Sequence, residues 1–107
     1  MPPYEWYNDS IAAWTKQASL QLINFTPGTL SNADYTTPDM KNYRTSENIY
    51  KSIIGYEQAR GLHGFILLLH MGTHVKRTDK MYHRLGELVD YLKQKGYQLV
   101  RVDDLLK

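Results

Sequence analysis

The chain has no cysteine, which excludes disulfides, thiol catalysis and thiolate metal sites. Long hydrophobic runs are missing too. The longest, Phe65 to Leu69, is far too short to span a bilayer. An excess of one charge is also absent: the net is +2 at neutral pH, and no basic stripe interleaves with aromatics, so no nucleic-acid footprint is visible. The densest basic group, Lys76, Arg77 and Lys80, sits beside a turn and reads as a solvated edge. Met1-Pro-Pro3-Tyr4 opens the chain without a basic segment and an apolar one behind it, so no signal peptide is visible. Gly61 and Gly64 flank His63 but lack the spacing of a nucleotide fingerprint, and no serine occupies a strand-to-helix elbow. What is present is a chain of 107 residues, 42% apolar and 22% charged, with nine tyrosines. That suits one globular domain with a modest core.

Residues 1 to 8, with two prolines and an Asn/Asp/Ser cluster, read as a loop. Asp9 or Ser10 is expected to cap a helix over Ile11 to Ala18, and Leu20 to Phe25 to form a strand. Thr26 to Met40 holds Pro27-Gly28, Ser31-Asn32 and Thr37-Pro38 and reads as a long ordered loop, packed through Leu30 and Tyr35. The spacing of Ile49, Ile53, Tyr56 and Arg60 predicts a helix over 46–60, stopped by Gly61. Phe65 to Leu69, continuously apolar, is expected as a strand buried on both faces. Asp79 can cap a helix carrying Tyr82, Leu85, Leu88, Val89 and Leu92 up to Gly96. Leu99 to Val102 reads as a last strand, and Asp103 and Asp104 as the start of a short helix. Strands alternating with helices predict an α/β fold with a parallel sheet. Three strands leave open edges, which invite pairing with a second copy.

His70 is the first candidate for chemistry. It follows the apolar run directly, and ligands gather at the carboxyl ends of strands in α/β sheets. A histidine there serves as general acid, general base or metal ligand. Gly72 would let the backbone turn after it. His70 and His74 are four apart, but the intervening glycine argues against a shared helix face, and the Glu of a His-Glu-x-x-His site is missing. A metal site made only of this chain is not expected. His63 lies at the other end of the strand, and His83 on a helix surface. Among the carboxylates, Asp34 stands out because its loop should lie at the same sheet end as His70, where it would orient the ring. An Asx turn with Asn32 nearby explains Asp34 equally well.

Leu67-Leu-Leu69-His70, with a later helix and the ending Lys95-Gly-Tyr-Gln-Leu-Val-Arg-Val-Asp-Asp-Leu-Leu106, resembles the C-terminal part of polysaccharide deacetylases of the NodB-homology type. The resemblance implies a partial domain over residues 1–107, forming the C-terminal part of a distorted (β/α) barrel. It implies removal of acetyl groups from a carbohydrate. His70 would be the general acid, and Leu68 would help line the acetyl-methyl pocket. Pro2-Pro3-Tyr4 is similar to a family segment that orients the catalytic aspartate and helps form the oxyanion hole, with Met1 standing where its arginine belongs. Asp34-Tyr35 is similar to an aspartate–aromatic pair that tunes the acid histidine and lines the groove, although Thr26-Pro-Gly-Thr-Leu30 replaces the usual preceding aspartate. Pro3, Tyr4, Tyr35 and Leu68 are thus the implied substrate contacts.

The family's base and metal ligands have no counterpart in these residues. A divalent metal, zinc by resemblance, is therefore expected only in a full-length domain, whose N-terminal half would be this chain's partner. The isolated chain is expected to be inactive, and a full-length parent to be secreted or periplasmic. The competing expectation is a non-catalytic carbohydrate-binding or interaction module.

Overall fold

The first two helices of this chain start where a side chain takes an amide that the first turn leaves without a carbonyl, and the last two start without such a cap. The computed structural model describes residues 1–107 and contains four α-helices and three short 3-10 turns. Helix α1, Asp9–Gln17, is capped by Asn8, whose Oδ1 accepts the Ile11 N–H at 2.9 Å. It begins earlier than the expected Ile11, because the extended backbone of Asn8 lets the side chain reach forward. None of its residues is buried.

Helix α2, Ser46–Arg60, is capped by Thr45, whose hydroxyl accepts the Asn48 N–H at 3.1 Å. It stops at Gly61, where φ is +76° and the amide returns to the Glu57 carbonyl. Asp79 caps no helix of its own. Its Oδ2 accepts the Ser46 N–H at 2.6 Å and its carbonyl accepts the Ser46 hydroxyl at 2.9 Å, so it completes the start of α2 instead. The helix expected after Asp79 opens with a 3-10 turn, Met81–Arg84, and becomes regular only as α3, Leu85–Gln94. A last helix, α4, covers Val102–Leu105.

The core lies between α2 and α3. Ile49 and Ile53, four residues apart on α2, meet Leu88 and Leu92, four apart on α3, with Leu62 and Met81 closing the ends. Glu57 ties the layers together: it accepts the Tyr91 hydroxyl at 2.8 Å and the Tyr97 hydroxyl at 3.4 Å, while the Tyr97 oxygen accepts the Leu62 N–H at 2.9 Å. Gly28 fits here because its φ is +126° and a Cβ would stand 2.5 Å from the Tyr56 ring.

The expected α/β fold is not formed. No strand, sheet or barrel is present. Leu20 to Phe25, Phe65 to Leu69 and Leu99 to Val102 were the candidate strands; the chain leaves them without a ladder, apart from the first residue of α4. A strand needs a neighbour exchanging amides and carbonyls along its length. Thr26 and Ile66 share one such bond, from the Thr26 N–H to the Ile66 carbonyl at 2.9 Å. The return bond goes to a side chain, since the Ile66 N–H reaches the Thr26 hydroxyl at 3.0 Å. The His70 N–H is likewise taken by Asp34. Residues 67–69 and 98–100 exchange no main-chain hydrogen bond. Phe65 to Leu69 is half-buried rather than buried on both faces, and Leu99 and Val100 are exposed. With no sheet there is no sheet edge through which a second copy could pair.

The molecule is open for its size. Its accessible surface is 7616 Å², against about 6,200 Å² expected of a folded monomer of this mass. The radius of gyration is 15.3 Å, against about 13 Å for a compact chain of this length. An apolar groove of about 580 Å³ runs between Leu62, Phe65, Leu67, Leu92, Leu99 and Val102. No helix is long and apolar enough to cross a membrane.

Candidate functional site

The long loop before α2 is not structureless. Residues Ser31–Tyr35 wind into a 3-10 turn, held to α2 because the Ser52 hydroxyl accepts the Leu30 N–H at 3.0 Å and donates to the Ile49 carbonyl at 2.7 Å. The turn buries Asp34 to 1% exposure. Its carboxylate makes two contacts with one residue. Oδ2 accepts the main-chain N–H of His70 at 2.6 Å, and Oδ1 lies 2.6 Å from Nδ1 of the same ring. A buried carboxylate must be paired or fully hydrogen-bonded, and His70 supplies both of its partners. The Asx turn is thus not what occupies this side chain.

The His70 ring is one-third exposed and forms part of the wall of a cavity of about 350 Å³. Tyr35 meets it edge-on, with ring centroids 5.7 Å apart and planes at 69°. Thr37, Met40 and Thr73 continue the wall, and Asp39, His74 and Lys76 supply polar groups. Asp34 does not line the cavity; it acts on it only through His70. The Asp39 carboxyl is held below the usual carboxylate range, chiefly by the Thr37 hydroxyl at 2.6 Å, then by its own amide and by Lys76. His74 Nδ1 accepts the Lys76 N–H at 3.1 Å, which places the proton of the neutral ring on Nε2.

Of the residues singled out from the sequence, the structure brings together Asp34, Tyr35 and His70. Pro3, Tyr4 and Leu68 do not line this cavity. Tyr4 is 96% exposed, in a segment where Tyr4 and Glu5 both have positive φ and Asn24 holds the Glu5 carbonyl at 2.8 Å. Gly72 lines the cavity, yet its φ is not left-handed and a Cβ there would meet nothing within 4 Å, so the turn does not require glycine. His63 and His83 are exposed.

The basic cluster is not a solvated edge. Lys76 is exposed, but Arg77 is wholly buried. Lys80 Nζ donates to the Thr73 carbonyl, the Thr73 hydroxyl and the His74 carbonyl at 2.8–3.0 Å, which pins the cavity's far wall. Neither role had a local signal in the sequence.

No group of three or more His, Asp or Glu side chains converges anywhere in the chain. His70 already spends Nδ1 on Asp34, and Asp34 spends both oxygens on His70. Comparison with family models, curated proteins and solved structures found no match to this chain.

What remains is one imidazole with a fixed proton geometry. Asp34 on Nδ1 favours a proton there, in the neutral ring as well as the cation. Nε2 has no partner within the chain and is the nitrogen left for a ligand. Such a ring can give or take a proton at Nε2 while Nδ1 keeps its own.

Proposed function

We propose that this chain carries the proton-donating part of a carbohydrate deacetylase. The single observation that carries the reading is the buried Asp34 carboxylate seated on Nδ1 of a ring that opens onto a cavity. His70 enters the reaction as the imidazolium. When the tetrahedral adduct at the acetyl carbon collapses, the bond from carbon to the sugar nitrogen or oxygen breaks. The departing atom takes the Nε2 proton, and the ring is left neutral, with Nδ1–H still on Asp34. Tyr35 stands T-shaped to the ring and forms part of the sugar-facing wall. Asp34 is a positioning residue, since it reaches the substrate only through His70. Activation of water, and any zinc ion assisting it, belong in this reading to residues outside these 107.

A second reading, a carbohydrate-binding module, draws on the exposed aromatics Tyr4, Trp6, Tyr7 and Trp14 near the start of the chain, because such rings stack on sugars. Amide NMR spectra recorded with acetylated chitooligosaccharide and acetylated xylo-oligosaccharide separate the two. Shifts at Tyr35, His70 and Thr73 are expected. Shifts confined to residues 4–14 would favour the module, and no shift with either sugar would sink both readings. The chain alone is expected to release no acetate, whereas an N-terminally extended version with added zinc releases it in a His70-dependent way. Turnover by the short chain would contradict the division of labour proposed here.

A further inference from the structure

Arg77 is the largest fully buried side chain of the protein, and no carboxylate pairs with it. Nη1 donates to the Thr36 carbonyl at 2.8 Å and the Arg44 carbonyl at 2.9 Å, and Nη2 to the Ser46 hydroxyl at 3.2 Å. The guanidinium carbon stands 5.4 Å from the centre of the Tyr43 ring, and Nε has no partner at all. Burying a permanent cation against neutral acceptors is expensive, and an apolar side chain of similar length would fill the volume at less cost. Packing alone does not explain an arginine here.

Its acceptors show what it holds. Thr36 follows Asp34 and Tyr35 directly, is itself fully buried, donates its hydroxyl to the Ala33 carbonyl at 2.6 Å and accepts the Arg44 N–H at 3.2 Å. Arg44 and Ser46 flank the start of α2. On its other side, the Arg77 N–H reaches the His74 carbonyl at 2.9 Å, within the far wall of the His70 cavity. One side chain therefore clamps the loop carrying Asp34 and Tyr35 onto the loop that follows His70. We infer that Arg77 is a positioning residue that sets the approach of Asp34 to His70. The importance of that approach for proton transfer rests on the deacetylase reading, but the clamp itself does not.

The test uses Arg77→Met, which keeps the unbranched stem but removes the guanidinium and every donor with it, and Arg77→Lys, which keeps the charge. Hydrogen exchange is followed at two amides: His70, which donates to Asp34, and Ile53, in the α2 core. The Nδ1 proton of His70 is observed by imidazole NMR. The expected result for Arg77→Met is exchange at His70 at least about tenfold faster and loss of the Nδ1 signal, with Ile53 unchanged. Arg77→Lys should recover part of both. Equal loss of protection at His70 and Ile53 would make Arg77 a general structural residue and overturn the inference. An unchanged Nδ1 signal in folded Arg77→Met would overturn it as well. If Arg77→Met does not fold, Arg77→Lys decides by the same comparison, and failure of both variants to fold counts against a role confined to positioning. Because no sugar or turnover enters the readout, the clamp can fail while the deacetylase reading stands, and the reverse.

Discussion

Replacing Asp34 separates the structural and chemical uses of one carboxylate, and two substitutions should do so differently. Asp34→Ala removes both acceptors, leaving the His70 amide and ring N–H without partners. A hydrogen bond to a charged group contributes about 1.5–3 kcal/mol, and an unsatisfied buried donor costs about 1–3 kcal/mol. The buried charge recovers some desolvation energy when it is deleted, and the pocket beside the turn gives water some access. The net expectation is roughly 2–4 kcal/mol, a large share of the ~5–15 kcal/mol available to a domain of this size.

Asp34→Asn keeps the shape and can satisfy both sites if the ring changes tautomer. Its oxygen accepts the His70 amide, and its NH₂ donates to a bare Nδ1. Stability should then fall by only about 1 kcal/mol, while the Nδ1 proton disappears and the imidazolium, with two donors face to face, becomes unfavourable. On the deacetylase reading proposed above, loss of the acid would cost on the order of 10²–10⁴ in rate. Urea unfolding followed by circular dichroism gives the first numbers, and imidazole NMR gives the tautomer. An Asp34→Ala variant within about 0.5 kcal/mol of wild type, or an Nδ1 proton that survives in Asp34→Asn, would refute this account.

The core and its polar tie offer two further checks. Ile53 is fully buried in a core of six residues, so Ile53→Ala should cost about 2–5 kcal/mol; a midpoint in urea close to wild type would show that α2 and α3 do not pack as described. The Tyr91 phenol is raised above its ordinary range, first by its hydrogen bond to Glu57. Because the raised pKa belongs to the folded state, the neutral phenol stabilises the fold fully below the unfolded tyrosine value, and this contribution fades as pH rises through the folded one. Wild type should therefore be more stable than Tyr91→Phe at neutral pH and lose that lead in alkali. A lead that grows with pH would contradict the pairing.

The stops of the helices and the start of α2 were legible in local sequence, whereas the caps expected at Asp9 or Ser10 and at Asp79 are not the ones the chain uses. Gly61 marks the end of α2, and the spacing of Ile49 with Ile53 identifies its core face, because caps and i,i+4 contacts span only a few residues. The sheet was not legible in the same way. Phe65 to Leu69 has the composition of a buried strand, and composition sets an extended backbone, but a ladder depends on a partner far along the chain. Here the partners are the side chains of Thr26 and Asp34. Arg77 was misread for the same reason. It stands between lysines in a polar stretch, and nothing local announces that carbonyls 33 and 41 residues away would enclose it.

The extended segment before His70 depends on side chains where a sheet would have used backbone. Amides at Ile66 and His70, four residues apart, fall on one edge of an extended chain. The first is held by the Thr26 hydroxyl and the second by the Asp34 carboxylate. Between them the Leu68 amide has no main-chain partner. His70 is thus located by a carboxylate at its amide and oriented by the same carboxylate at its ring. In a true strand these tasks would be divided: a ladder would place the backbone, and the carboxylate would be free to serve the imidazole alone. Combining them makes Asp34 the point at which the shape of the loop and the state of the proton become linked. That is why the alanine and asparagine variants should diverge: one removes the anchor, whereas the other leaves the anchor and inverts the proton.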